Sequence, residues 1–309
     1  MPNPVELLKP WEVALGPDEG LPVRRTLPSR RRSLIGGWCF IDHYGPKQLE
    51  PGKGMQVGSH PHTQLQTASW LFAGSIQHRD SAGNVAVIRP GELNLMTAGR
   101  GISHSERSLS ESGVLHGVQL WIALPDASRF TDPGFEHYIP DIIEFPGGSA
   151  RVFLGELLNS ISQVNTHSPL LGAELNLTEG TSLTLTVNRR FEHGLLVDQG
   201  EVTLNGAVIP LHSLGYLAPG ESTLVITAST DTRLLLLGGE PLGEEIVMWW
   251  NFIGRSHEEI VEYHRLWQKE NLLFTTQSQD PPFFGWPKGE GQEPISAPDL
   301  PSVRLKTRK

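Results

Sequence analysis

The segment PGELNLMTAGRGISHSE, from Pro90 to Glu106, decides how we interpret this chain. It starts with a Pro-Gly turn, continues through an apolar run and a Gly-rich turn, and ends at His104 and Glu106, which are two residues apart. Upstream, His60 and His62 have the same spacing. Side chains at positions i and i+2 of a β-strand point to the same face, so each pair can reach one point. The two pairs predict one site with three imidazoles and one carboxylate.

Three imidazoles and a carboxylate are a ligand set for a metal ion. No donor is a thiol, which disfavours a structural zinc site and favours a metal that accepts nitrogen and oxygen donors. Four protein ligands leave two positions of an octahedral ion open, as in mononuclear non-haem iron sites that handle dioxygen. A single His-x-His pair is more often an ordinary surface or core feature, but the second pair favours the metal. We expect Fe(II), and manganese, nickel, cobalt, copper and zinc would fit the same donors.

The sequence around these pairs resembles the pirin family. Besides His60-Pro61-His62, the resemblance rests on four segments, which are FIDHYGP (Phe40–Pro46), GSIQHRDSAGN (Gly74–Asn84), the Pro90–Glu106 segment and QLWIALP (Gln119–Pro125). Membership would imply two tandem cupin barrels and a single metal in the N-terminal barrel, and in some members oxygen-dependent cleavage of the flavonol quercetin. The ligands that the resemblance implies are His60, His62, His104 and Glu106.

One position departs from the family pattern. After the His-x-His pair the family usually has Arg-Gly-Phe-Glu, whereas this chain has Thr63-Gln64-Leu65-Gln66. Gln66 therefore stands where the family has Glu, and an amide carries no charge and cannot act as a base. We expect this change to remove a negative charge near the metal and to leave Glu106 as the acidic catalytic residue. Met96 and His116 are also expected to shape the site.

The fold class predicted is all-β, with two cupin (jelly-roll type) barrels in tandem. Glycine and proline interrupt almost every short apolar run, which is typical of short strands joined by tight turns. We place a metal-binding barrel at 1–140, a degenerate barrel at 141–254, a helix at 255–274 and an extended tail at 275–309. Strands of the first barrel are predicted at 64–72, 75–80, 84–88, 93–97, 114–124 and 135–139. The second barrel lacks a His-x-His pair, so its lone His193 and His212 are expected to be solvent-facing or hydrogen-bonded.

The C-terminal part of the chain gives three further expectations. Ser256 and Glu259 have the spacing of a capping box and predict where the helix begins. In the Pro- and Gly-rich tail, Phe283-Phe284-Gly285-Trp286 is expected to be an apolar anchor on a barrel or on another subunit. Trp249 and Trp250 precede the helix, and we expect them to pack between domains, with a place in the substrate pocket as the alternative.

Composition restricts the class of protein. The net charge of −9 disfavours direct nucleic-acid binding, because phosphate contacts need a basic surface. The single cysteine, Cys39, excludes an internal disulfide and lies in an apolar run, where a buried, inert thiol is expected. No apolar run is long enough to cross a bilayer, and the N-terminus lacks the pattern of a secretory signal. We expect a cytoplasmic protein without membrane association.

These features favour a dioxygenase that opens the ring of a flavonol such as quercetin, with Glu106 accepting the proton of the 3-hydroxyl. Its partners would be the flavonol-like substrate and dioxygen. Two alternatives stay open. The resemblance also allows an iron-dependent, redox-sensing regulator that binds other proteins without turnover. The third hypothesis is a cupin enzyme for another small enolic substrate, because a fold does not fix a function.

Overall fold

The structure is a computed structural model that describes residues 3–15, 21–50, 54–109, 113–276, 282–289 and 293–309. Within these residues the chain forms 26 β-strands and one α-helix. The strands build two barrels, each made of a seven-stranded and a four-stranded sheet. The all-β prediction with two tandem barrels is therefore confirmed.

The N-terminal barrel contains the predicted metal site. In spatial order its larger sheet consists of β12 (Gly134–Tyr138), β9 (Leu93–Thr97), β6 (Leu65–Ala73), β11 (Val114–Ala123), β4 (Trp38–Gln48), β3 (Leu21–Leu27) and β2 (Trp11–Leu15). Its smaller sheet consists of β5 (Gln56–His62), β10 (Ile102–Ser108), β7 (Ile76–Asp80) and β8 (Val85–Ile88). The six strands predicted in this barrel are all present, and their ends differ by at most one residue. Their apolar runs thus identified them correctly.

The C-terminal barrel repeats this arrangement. Its larger sheet consists of β1 (Glu6–Leu8), β22 (Leu214–Leu217), β19 (Glu192–Gln199), β24 (Thr232–Gly239), β17 (Leu170–Leu177), β14 (Gly148–Leu154) and β13 (Ile143–Phe145). The smaller sheet consists of β18 (Ser182–Thr186), β23 (Thr223–Ala228), β20 (Val202–Leu204) and β21 (Ala207–Ile209). Two small ribbons complete the strands, namely β15 (Glu156–Leu157) with β16 (Ser160–Ile161), and β25 (Val247–Trp249) with β26 (Phe252–Gly254).

The first strand of the chain does not belong to the first barrel. Glu6 pairs with Tyr216 and Leu8 pairs with Leu214, so β1 extends the larger sheet of the second barrel. The prediction that all of residues 1–140 lie in the N-terminal barrel is wrong for this strand. Its sequence carries no signal for the partner, because the pairing joins residues about 200 positions apart.

The two barrels share one hydrophobic core. Trp38 and Trp70 of the first barrel are completely buried in it, together with Phe153 of the second barrel. The rings of Trp70 and Phe153 stack with centroids 4.5 Å apart. Both indoles donate hydrogen bonds into the second barrel, from Trp70 Nε1 to Glu174 Oε2 at 2.7 Å and from Trp38 Nε1 to Gly238 O at 3.0 Å. The interface therefore holds the barrels in one fixed relation.

An ion cluster lies at the same interface. His43 Nε2 and His116 Nε2 of the first barrel lie 2.7 Å and 2.6 Å from Asp198 Oδ1 of the second. Arg233 Nε donates to Asp198 Oδ2 at 2.6 Å, and its Nη2 lies 3.3 Å from His116 Nδ1. We call these four residues the interbarrel cluster. The expectation that His116 shapes the metal site is wrong, because its side chain belongs to this cluster.

The interbarrel cluster has the composition of a metal site but the hydrogen bonds of an ion pair. A guanidinium can only donate hydrogen bonds, so the contact from Arg233 makes Nδ1 of His116 an acceptor. The ring proton of the neutral imidazole then lies on Nε2 and points to Asp198. A protonated nitrogen beside a fixed positive charge does not suit a cation, so we assign the cluster a structural role.

The helix α1 (His257–Thr276) begins where the capping box predicts. Ser256 Oγ accepts the backbone N–H of Glu259 at 3.2 Å, and Glu259 Oε2 accepts that of Arg255 at 2.9 Å. The predicted anchor is also present, because Phe284 is buried against the edge of the Trp267 ring in the middle of the helix. The described part of the tail therefore packs on the helix instead of leaving the globule.

Several smaller expectations can now be compared with the structure. Cys39 is completely buried, which raises the pKa of its thiol and confirms an inert residue. His212 is partly exposed, but the expectation for His193 is wrong. His193 is buried, and neither of its ring nitrogens has a hydrogen-bond partner among the described residues. No helix that the structure describes has the length and apolarity needed to cross a membrane.

Replacing Asp198 with Asn tests the interbarrel cluster. The amide keeps the shape of the side chain but leaves the Arg233 guanidinium without its counter-charge at a buried site. We expect the free energy of unfolding to fall by about 3 kcal/mol, the lower end for breaking a buried ion pair. Urea unfolding measures this loss, with exposed Asp141→Asn as the control. Equal midpoints for Asp198→Asn and the parent would contradict the structural role.

His193 should make stability depend on pH. Burial lowers its pKa in the folded chain to about 4, whereas an unfolded histidine titrates near 6.5. Between these values the unfolded chain binds the proton and the folded chain does not, so stability is full above about pH 6.5 and falls towards pH 4. We expect His193→Leu to raise the thermal midpoint more at pH 5 than at pH 8. An equal change at both pH values would contradict this assignment.

Candidate metal centre

The three predicted histidine ligands come from two neighbouring strands of the smaller N-terminal sheet. Strands β5 and β10 are antiparallel, and His60 lies directly opposite His104 while His62 lies opposite Ile102. The register shifts between His104 and Glu106, where β5 contains an extra residue. This pairing brings the His60–His62 pair and His104, which are far apart in the sequence, together on one face of the sheet.

The imidazoles of His60, His62 and His104 converge. One nitrogen from each ring lies within 4.8 Å of one nitrogen from each of the others. Between His62 and His104 the Nε2 atoms are 3.1 Å apart. All three residues are buried, with at most 7% exposed. The structure therefore brings together three of the four residues that the sequence singled out.

The hydrogen bonds of two of these rings leave Nε2 free to bind a metal. His60 Nδ1 lies 2.9 Å from the carbonyl oxygen of Gly58, and His62 Nδ1 lies 3.0 Å from that of Asn251. A carbonyl can only accept, so the ring proton lies on Nδ1 and the lone pair on Nε2. Burial lowers the pKa of His60 to about 4 and that of His62 well below its usual value, so both rings are neutral. These features fit a divalent transition metal.

Glu106 lies beside the triad, on the same strand as His104. One oxygen of its carboxylate lies within 4.8 Å of a ring nitrogen of His78 and of a ring nitrogen of His104. The side chain is buried, and Ser69 Oγ lies within hydrogen-bond distance of Oε1 at 3.2 Å. Burial raises the pKa of this carboxyl group. The structure thus puts a carboxylate near the triad, and its binding to the metal stays a prediction.

His78 and Asp80 on β7 are members of the site that sequence reasoning missed. His78 Nδ1 lies 3.3 Å from His104 Nδ1, and His78 Nε2 lies 3.3 Å from Asp80 Oδ2. A signal was available, because the two residues have the i, i+2 spacing of one strand face inside the GSIQHRDSAGN segment. They add a second layer behind the predicted ligands.

A cavity of about 500 Å³ opens onto the triad and Glu106. Phe40 and Trp121 form one wall, and their rings are stacked with centroids 4.0 Å apart and 11° between planes. Another wall comes from distant parts of the chain, Trp250 and the tail residues Ile295 and Pro298. The lining role for Trp250, given only as the alternative, is what the structure shows. The cavity therefore has aromatic residues on two sides, from the first barrel and from the C-terminal part of the chain.

Gln66 does not face the metal residues. Gln66 lies on the same face of β6 as Ala68 and Trp70, which belong to the core between the barrels. Its amide donates to Thr97 Oγ1 at 2.9 Å. Met96 is on the opposite face of its strand from Leu93 and Leu95 and is buried in a cluster with the cavity-lining Phe40 and Trp121, so its role in shaping the site stays a prediction. The expected loss of a negative charge near the metal is therefore wrong for Gln66.

Removing one imidazole should abolish tight metal binding. We expect His104→Ala to weaken Co(II) or Ni(II) binding by on the order of 100-fold or more, because only two imidazoles of the triad remain. Competition with a chelator measures the affinity, and the matched control is His167→Ala at an exposed position. Parent-like affinity in His104→Ala would show that the ion binds elsewhere.

Comparison with known proteins places the chain in a family. The family profile described as Pirin matches residues 20–122, and the profile described as Pirin C-terminal cupin domain matches residues 172–272. A protein of Pseudomonas aeruginosa named "Putative quercetin 2,3-dioxygenase" is 44% identical over 257 residues, which are 82% of this chain and 81% of that protein. A pirin-like protein of Caulobacter vibrioides is 38% identical and covers 80% of this chain and 88% of its own length.

Solved structures agree with this assignment. The crystal structure of quercetin 2,3-dioxygenase from Acinetobacter baumannii superposes with a TM-score of 0.89 and is 35% identical. The match covers 99% of this chain and 98% of that one, so both barrels and the C-terminal elements have counterparts. The two barrels are cupin barrels, and the chain belongs to the pirin family.

Proposed function

We propose that this chain is a metal-dependent dioxygenase that opens the ring of a flavonol such as quercetin. The observation that carries the proposal is the buried triad of His60, His62 and His104 at one wall of a cavity that Phe40 and Trp121 also line. The names of the P. aeruginosa and A. baumannii relatives support the same activity.

The metal would be held by the Nε2 atoms of His60, His62 and His104, with Glu106 as the fourth ligand. Fe(II) is the first candidate, because this donor set leaves positions open for substrate and dioxygen. Nickel is the second, since a related bacterial pirin from Escherichia coli, 21% identical, was solved in complex with nickel(II). When bound, the ion would supply a Lewis acid for the substrate hydroxyl and a redox centre for dioxygen.

The cavity walls would orient a planar substrate. The mutually stacked rings of Phe40 and Trp121 give the cavity an apolar, aromatic lining against which a flavonol ring can pack. Trp250 and Ile295 line the same cavity and would exclude water from the bound substrate. Arg25 also lines it, but its guanidinium is bound by both oxygens of Asp42, at 2.6 Å and 2.7 Å. Shape and stacking, more than charge, would therefore select the substrate.

Glu106 would accept the proton of the 3-hydroxyl. Burial raises the pKa of its carboxyl group, so the carboxylate, when it moves partly off the metal, would be a stronger base than a carboxylate in water. Ser69 Oγ lies 2.8 Å from Gln119 Oε1 and 3.2 Å from Glu106 Oε1, so its single proton goes mainly to the amide. The Glu106 carboxylate is then only weakly hydrogen-bonded and free to take up a proton.

Glu106→Gln should separate proton transfer from substrate fit. The amide keeps the volume but cannot accept the hydroxyl proton, so we expect kcat for quercetin to fall about 100-fold or more. Turnover is followed by the loss of quercetin absorbance, and bound metal is quantified in the same samples so that rates are compared per metal. The matched control, Glu201→Gln, makes the same change at an exposed position of the second barrel. Unchanged kcat per bound metal in Glu106→Gln would contradict the proton-transfer role.

The proposed reaction itself is tested with protein reconstituted with Fe(II) without oxygen and then exposed to air. We expect quercetin to be lost only with oxygen, with release of one carbon monoxide per ring opened. His104→Ala, prepared in the same way, should not react. A sample that holds one metal ion per chain and leaves quercetin unchanged would contradict the proposed activity.

A further inference from the structure

The three triad histidines differ in the hydrogen-bond partner of their Nδ1 atoms. His60 and His62 bond to backbone carbonyls, whereas His104 Nδ1 faces another imidazole nitrogen, His78 Nδ1, at 3.3 Å. Two ring nitrogens can form a hydrogen bond only if one carries a proton and the other does not. Which nitrogen of His104 carries the proton therefore depends on which nitrogen of His78 carries its own.

Asp80 determines which nitrogen of His78 carries the proton. Both carboxylate oxygens of Asp80 accept hydrogen bonds from Asn84, from its backbone N–H at 3.0 Å and its Nδ2 at 2.9 Å and 3.1 Å. These donors favour the ionised carboxylate, which can only accept. His78 Nε2, at 3.3 Å from Asp80 Oδ2, must then carry the proton. His78 Nδ1 is left as an acceptor.

The proton positions that follow match the needs of a metal ligand. His104 donates its Nδ1 proton to His78, so its Nε2 presents a lone pair to that of His62 Nε2, 3.1 Å away, and a cation between them would satisfy both. All three triad rings are then in the same tautomer, with protons on Nδ1 and lone pairs on Nε2. Each of His78, Asp80 and His104 is at most 3% exposed, so water does not compete freely for these bonds.

We propose that His78 and Asp80 are positioning residues that fix the tautomer and orientation of His104 and thereby set the metal affinity of the site. The inference rests on the proposed metal site, but not on turnover. Removing such a hydrogen-bond partner of a metal ligand typically costs 10- to 100-fold in affinity, as carboxylate partners of zinc-bound histidines do.

Two substitutions of His78 separate hydrogen bonding from packing. The His78 ring stacks on Phe135 with centroids 4.7 Å apart, and His78→Phe keeps an aromatic ring there but removes the acceptor. His78→Gln loses the ring but retains an oxygen that can accept the His104 proton. We expect His78→Phe to weaken Co(II) binding about 10- to 100-fold, and His78→Gln to weaken it less than about 5-fold.

The measurement is the dissociation constant for Co(II), from chelator competition, together with the visible absorption spectrum of the bound ion. A role in packing alone predicts the opposite order, with His78→Phe close to the parent and His78→Gln impaired, and that order would overturn the proposal. A loss in both variants as large as in His104→Ala would mean that His78 is itself a ligand. Neither measurement uses quercetin or oxygen. The test of His78 is therefore independent of whether the protein turns over quercetin.

The parent protein provides a second test that needs no variant. In the protein loaded with diamagnetic Zn(II), ¹⁵N NMR of histidine rings distinguishes a protonated Nδ1 from a protonated Nε2. We expect His104 to carry its proton on Nδ1 and His78 on Nε2. A His104 ring protonated on Nε2 would overturn the assignment even if both variants failed to fold.

Discussion

The metal centre depends on one constraint: each buried imidazole must carry its proton on the nitrogen that faces away from the ion. The chain meets this constraint with acceptors from three places. Gly58 belongs to the same strand as His60, His78 belongs to the adjacent strand, and Asn251 lies nearly two hundred residues beyond His62. A site that looks local in the sequence is therefore completed by the C-terminal part of the chain.

The C-terminal elements are part of the site because they position Asn251, whose carbonyl accepts the His62 proton. Asn251 lies in the turn between β25 and β26, and this ribbon packs with the helix and Phe284 in one hydrophobic cluster. The tail then runs along the cavity, where the N–H of Ile295 donates to the carbonyl of Ser59 at 2.8 Å, next to His60. Among the described residues, none from the two sheets of the second barrel lines the cavity, and this barrel instead supports the first through their common core.

Sequence patterns correctly predicted those features that depend on residues close together in the sequence. The two-residue spacing identified the triad, and the capping box identified the start of the helix. Gln66 was misplaced although strand alternation puts it on the outer face of β6, together with Ala68. Gln64, at a position where the family has Gly, has φ of 56° and is held by bonds to Tyr263 and Glu259. Such long-range partners, like those of His116, follow only from the folded chain.

The most direct test of this account is a structure of the iron-loaded protein, determined without oxygen. We predict one ion bound by the Nε2 atoms of His60, His62 and His104 and by a carboxylate oxygen of Glu106, at about 2.0–2.2 Å. Two further positions should face the cavity between Trp121 and Ile295. Iron bound instead through Nδ1 of His104 and His78, or at Asp198 of the interbarrel cluster, would contradict the account.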